Sequence, residues 1–210
     1  MSRLLLWIFL FMPFVAFSQN EQTIVFLRYT GAQTASREAA DQLKKKVESL
    51  SKNGAHIVLG YFQTKGAVLL IRQMGVEEAK DRLDIEIGEP AELWSIEIAP
   101  FNHRWGTVCP VSSPVELLRY TFIRFDAITA KYTASTFPQI IRQHDLYIKQ
   151  LIETGNVVAE GTFGDTDGGI LIMKGDVQRE VFENDPGVTE GLLEFSIQWL
   201  DVARGSFCEN

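Results

Sequence analysis

Apolar residues fall in short runs along much of the chain, bounded by glycine and polar clusters. "TIVFLRY" (residues 23–29), "HIVLGYF" (56–62), "AVLLIRQ" (67–73) and "LWSIEIAPF" (93–101) form one set. "RYTFIRF" (119–125), "NVVAEGTF" (156–163), "GILIMKG" (169–175) and "LEFSIQWL" (193–200) form another. Short runs rich in β-branched and aromatic residues predict strands, and those apolar at consecutive positions need cover on both faces. Elsewhere the spacing changes to three and four. Behind a candidate N-cap at Ser36, residues Ala39, Ala40, Leu43, Val47 and Leu50 form the buried stripe of a helix. A second stripe runs through Ile140, Ile141, His144, Tyr147, Ile148, Leu151 and Ile152, with a titratable ring where a leucine is expected. Short helices are expected over 76–83 and 177–183.

The two sets also match each other. One constant offset carries Gly54 to Gly155, Gly60 to Gly161, Asp84 to Asp185, Ser95 to Ser196 and Ile96 to Ile197. A slightly shorter offset lays Phe26 on Phe122 and Arg28 on Arg124, so the second copy carries extra residues between its first strand and first helix. The order predicts an α+β fold: tandem ferredoxin-like (β-α-β-β-α-β) repeats, their sheets packed face to face as an intrachain pseudo-dimeric α+β barrel. Two domains on a string are the alternative, and each would expose a large apolar face. The expected division is residues 22–104, a linker at 105–116, residues 117–203 and a tail at 204–210.

Composition adds three constraints. With 210 residues, 46% of them hydrophobic, the chain has material for one large core or two small domains. The N-terminus has one basic residue (Arg3), an apolar run from Leu4 to Phe17, and small residues Ala16 and Ser18. That is the pattern of a signal peptide over residues 1–18, and it predicts export to the periplasm or outside, with no membrane attachment of the mature chain. The formal charge is −7, which gives no electrostatic reason to bind nucleic acid. Cys109 and Cys208 are compatible with one disulfide in an oxidising compartment.

The stretches "RQHDLYIKQLIETGNVVAEGTF", "GGILIM" and "ENDPGVTEGLLEFSI" resemble YCII-related domains of the dimeric α+β barrel superfamily. The first half matches in its strands and glycines, as a degenerate copy. The resemblance implies a catalytic pair made of the first-helix histidine and the aspartate of an Asp-Pro motif, which fall on His144 and Asp185. Where the family has Gly-Pro-Phe after the second strand, this chain has Gly161-Thr162-Phe163, a departure that bears on the backbone there. Phe163 and Arg124 are the expected ligand contacts.

The residues themselves support a pair. His144 lies on the buried stripe of its helix, and a residue before proline leaves the α region, so Asp185 ends a helix on the same side of the sheet. A carboxylate on one imidazole nitrogen fixes the tautomer and leaves the other as acid or base. The opposing reading is a satisfied buried polar pair. The first copy has Leu43 in place of His144, so an apolar residue fits that position. Arg28 and Arg124 share a strand face with Phe26 and Phe122; they either hold an anionic ligand or reach out to water. "GDTDGG" (164–169) reads as a hairpin turn rather than a calcium loop, and His56 and His103 have no partner at metal spacing. No metal or cofactor is expected.

The first functional reading is an exported protein with a small-molecule pocket and a His144–Asp185 acid/base pair, acting as a lyase, isomerase or hydrolase on a small organic acid or phenol. A non-catalytic ligand-binding or structural module is the second. A cofactor-independent monooxygenase is a third, by fold analogy alone. The duplication predicts either a monomer or a homodimer.

Overall fold

Strands β1 (Gln22–Tyr29), β3 (Gly66–Arg72) and β7 (Gly168–Lys174) each hold a run of consecutive buried residues, and the architecture explains why. Alternate side chains of β1 point into different cores: Ile24 and Phe26 to one side, Val25 and Leu27 to the other. Both faces are covered, so alternation disappears from the sequence.

The computed structural model describes residues 22–30, 57–63, 66–87, 94–109, 111, 116–128, 136–164 and 168–208. The expected signal peptide, the helix expected behind Ser36 with its Leu43, His56, and the middle of the "GDTDGG" turn lie outside the described residues. The remaining strands are β2 (Ile57–Phe62), β4 (Trp94–Gly106), β5 (Leu117–Ala127), β6 (Val157–Phe163) and β8 (Leu193–Ala203). The described helices are α1 (Val76–Ile87), α2 (Phe137–Glu153), α3 (Glu180–Glu183) and α4 (Pro186–Thr189).

The expected fold class is corrected. The chain does not form tandem ferredoxin-like α+β repeats with separate sheets packed face to face. Its strands close into one antiparallel barrel in the order β1-β3-β2-β8-β5-β7-β6-β4, mostly sheet with few helices among the described residues. The joins between the two halves are β2 with β8 and β4 with β6. Separate sheets would leave β2, β4, β6 and β8 as edges with rows of unpaired N–H and C=O groups, and closure removes all four edges. The face expected to meet a second sheet becomes the barrel interior instead.

That interior is aromatic. Phe26 meets Phe122 and Phe163 edge to face, with centroids 6.2 Å and 5.8 Å apart, and Phe62 meets Phe122 at 5.0 Å. Such pairs contribute about 0.5–1.5 kcal/mol each beyond the area they bury. Outside the barrel, α1 covers Val25, Leu27, Leu69 and Ile71 through Ala79 and Leu83. On the other side, α2, α3 and α4 cover Ile123, Phe125, Leu171 and Met173 through Ile148 and Phe182.

The helix expected at 177–183 forms only over Glu180–Glu183, and a second short helix, Pro186–Thr189, follows it. Asp185 precedes Pro186 and is extended (φ −64, ψ 130), so α3 stops before it and α4 starts after it. At the end of α2, Gly155 takes φ +78, the left-handed conformation that ends a helix. Cys109 and Cys208 are joined as a disulfide with Cα atoms 5.8 Å apart, beside the isolated Val108–Phe207 bridge.

Candidate functional site

Asp185 is fully buried, and it caps α4 by accepting the Gly187 N–H at 2.7 Å on Oδ1. The approach depends on glycine: a Cβ on Gly187 would lie 2.6 Å from Leu193 Cδ1 and 3.1 Å from that same Oδ1. The other demand on Asp185 comes from α2. His144 Nδ1–H donates to Oδ1 at 2.9 Å and to Oδ2 at 2.7 Å. The ring also packs edge to face on Phe125, with centroids 5.1 Å apart. Carboxylate and phenyl together fix its orientation. One turn along α2, the Tyr147 hydroxyl donates to the Val181 carbonyl at 2.5 Å. Burial, with help from the Asp185 carboxylate, pushes the Tyr147 phenol above its usual pKa, so it stays a neutral donor.

His144 separates Asp185 from a cavity. Its side chain is 12% exposed, while that of Asp185 is 0%. The cavity, about 190 Å³, lies between α2 and the outer face of β4, β6 and β7. Phe137, Ile141 and Ile148 line it from the helix, and Asn102, Arg104, Glu160 and Thr162 from the sheet. This is below the roughly 300 Å³ at which pockets for drug-sized ligands begin, so it suits a compact molecule. Among the described residues His144 Nε2 has no hydrogen-bond partner.

The far wall is ionic. Arg104 Nε donates to Glu160 at 2.9 Å and its Nη2 at 2.5 Å, while Nη1 reaches Asp145 of α2 at 2.9 Å. Burial works against the guanidinium charge, but the hydrogen bonds and charges of Glu160 and Asp145 outweigh it and raise the Arg104 pKa. Glu160 is 4% exposed. Arg104 and Glu160 are absent from the sequence-based site. The signal for Glu160 was the same as for His144: an acid inside an otherwise apolar run, "NVVAEGTF".

Of the expected site residues, His144 and Asp185 meet, and Arg124 and Phe163 stand elsewhere. Phe163 is buried in the barrel interior against Phe26. Arg124 lies at one end of the barrel, over the Phe26 and Phe163 rings at 4.5 Å and 5.3 Å. It pairs bidentately with Glu97 at 2.8 Å and 2.6 Å, and with Asp126 at 2.8 Å. Arg124 and Phe163 therefore do not join the His144 cavity. His103 stacks on Phe101 and its Nε2 meets the Trp105 carbonyl at 2.5 Å. Among the described residues, no group of three or more His, Cys, Asp or Glu is placed to hold a metal ion.

No protein-family profile and no curated protein matches this sequence. Solved structures do. A proposed monooxygenase of Fusobacterium nucleatum subsp. nucleatum superposes with a TM-score of 0.52 at 8% identity, over 92% of this chain and 99% of that one. An anthrone oxidase-like protein superposes with a TM-score of 0.51 at 13% identity, over 90% of this chain and 93% of that one. At these identities the likeness is one of fold, and this chain's barrel resembles theirs in architecture.

Proposed function

We propose that the chain is an enzyme that moves a proton on a compact organic molecule held between α2 and the sheet. His144 Nε2 is the acid or base, and Asp185 orients the ring. The observation that carries this reading is the placement of His144, with a fully buried carboxylate on Nδ1 and an open cavity on its other side. A ring packed shut would have favoured a purely structural pair. Proton uptake at Nε2 makes an imidazolium, which the Asp185 carboxylate stabilises at hydrogen-bond distance. Apolar Phe137, Ile141 and Ile148 exclude water, while Asn102 and Thr162 offer polar contacts to the substrate.

Two finer points belong to the same proposal. Kinship of residues 117–203 to YCII-related domains is supported by the His144–Asp185 contact and the Asp-Pro break. It points to a small acid or phenol as substrate. The relatives in fold described as a monooxygenase and as oxidase-like support a catalytic reading in general. Export is supported by the Cys109–Cys208 pair, since disulfides persist in oxidising compartments.

A thermal-shift screen of small carboxylic acids and phenols, run in parallel on wild type and His144→Leu, tests the site. The expected result is a set of compounds that stabilise wild type and not the variant. Equal stabilisation of both proteins would remove His144 from the site.

A further inference from the structure

At one end of the barrel is a larger cavity of about 580 Å³, within the range of small-molecule pockets. None of the residues lining it lines the His144 cavity. Its apolar surface is the edge-to-face cluster of Phe26, Phe62 and Phe122.

Two corresponding corners face each other across it. On β1 and β4, Arg28 is opposite Ser95 and Phe26 opposite Glu97. On β5 and β8, Arg124 is opposite Ser196 and Phe122 opposite Gln198. The corners differ in charge. Arg124 has two carboxylates, Glu97 from the other corner and Asp126 two residues along its own strand. The positions corresponding to these acids around Arg28 are Gln198 and Thr30, both neutral. Among the described residues no acid pairs with Arg28, which is exposed and lines the cavity. Among the described residues, one corner has a cation with its counter-ions and the other has the cation without them.

We propose that this barrel-end cavity is a second ligand site, which takes a singly charged organic acid with its carboxylate on Arg28 and its apolar body on the Phe26–Phe62–Phe122 cluster. Arg28, Arg124, Glu97 and Asp126 sum to zero charge, so one incoming negative charge at Arg28 is matched. A second would meet the carboxylates of Glu97 and Asp126. A planar guanidinium binds a carboxylate through two parallel hydrogen bonds, as Arg124 binds Glu97 in the opposite corner.

The test is calorimetric titration with biphenyl-4-carboxylate and with the neutral biphenyl-4-carboxamide. Wild type is expected to bind the acid at least about tenfold more tightly than the amide. Arg28→Gln removes the cation, and Gln198→Glu installs the missing counter-ion. Each is expected to lower the acid's affinity by about tenfold or more while leaving the amide's unchanged. The proposal is overturned if the acid binds no better than the amide, or if it does not bind wild type at all. It is also overturned if both variants bind the acid like wild type, or if His144→Leu abolishes binding that Arg28→Gln retains.

Discussion

The imidazole of His144 donates Nδ1–H to both carboxylate oxygens of Asp185, at 2.9 Å and 2.7 Å, and so ties α2 to the cap of α4. The carboxylate is inaccessible to solvent and the ring is not. His144 lines the cavity and Asp185 does not, so the aspartate reaches the cavity only through the ring.

Asp185 therefore has a structural and a positioning role, which separate by substitution. Asp185→Ala leaves the Gly187 N–H and His144 Nδ1–H buried without an acceptor, and is expected to cost about 1–3 kcal/mol. Asp185→Asn keeps an acceptor for Gly187 and is expected to recover part of that loss. Thermal denaturation of both variants measures the difference, and equal losses would contradict the capping role.

The Arg104–Glu160 pair should be strongly non-additive. Glu160 is nearly inaccessible while the Arg104 side chain is one-third exposed. Arg104→Met strands a buried carboxylate and is expected to cost about 2–4 kcal/mol. Adding Glu160→Gln is expected to restore part of the loss rather than add to it. Denaturant unfolding of the two single variants and the double variant completes the cycle.

The strands were legible in the sequence because each is a short apolar run with glycines or polar residues at its ends. Their closure was not. The β2–β8 and β4–β6 pairings join residues far apart in sequence, and nothing in "IVLGYF" says that Tyr61 lies beside Asp201. The end of β4 was also hidden, since "FNHRWG" continues as strand through a register shift between His103 and Trp105. This shift is part of what brings Arg104 to Glu160, and a polar run with a bulge reads as a loop. The His144–Asp185 approach could be read from a helix stripe and an Asp-Pro break, both local features. Arg124 could be placed on a strand face from the sequence, but Glu97, its partner from the other half, could not be read there.

Reducing the Cys109–Cys208 bond should lower stability by up to about 4–5 kcal/mol in the chain-entropy model, since it spans a separation of 99 residues. Chemical denaturation with and without reductant checks this. A Cys109→Ser, Cys208→Ser double variant should match the reduced protein. An unchanged midpoint after confirmed reduction would show that the barrel alone holds these ends.

His103 gives a pH dependence of defined sign. Burial lowers its pKa below the usual 6.5, although the Trp105 carbonyl partly offsets the effect. A lowered folded-state pKa means that folding favours the neutral ring. Its contribution is complete above 6.5 and is lost as pH falls through the lower folded value. An NMR titration should place the His103 midpoint below 6.5, and His103→Gln should reduce the loss of stability between about pH 7 and 5. A midpoint above 6.5 would contradict the assignment.

The most direct measurement of the His144 account is a long-range proton–nitrogen NMR spectrum of its ring, with and without a small acid or phenol selected by the thermal-shift screen. The expected result is a neutral ring protonated on Nδ1, with the Nε2 resonance moving when the ligand is added and the Nδ1 preference weakened in Asp185→Asn. A ring protonated on Nε2, or an Nε2 resonance indifferent to every stabilising ligand, would contradict it.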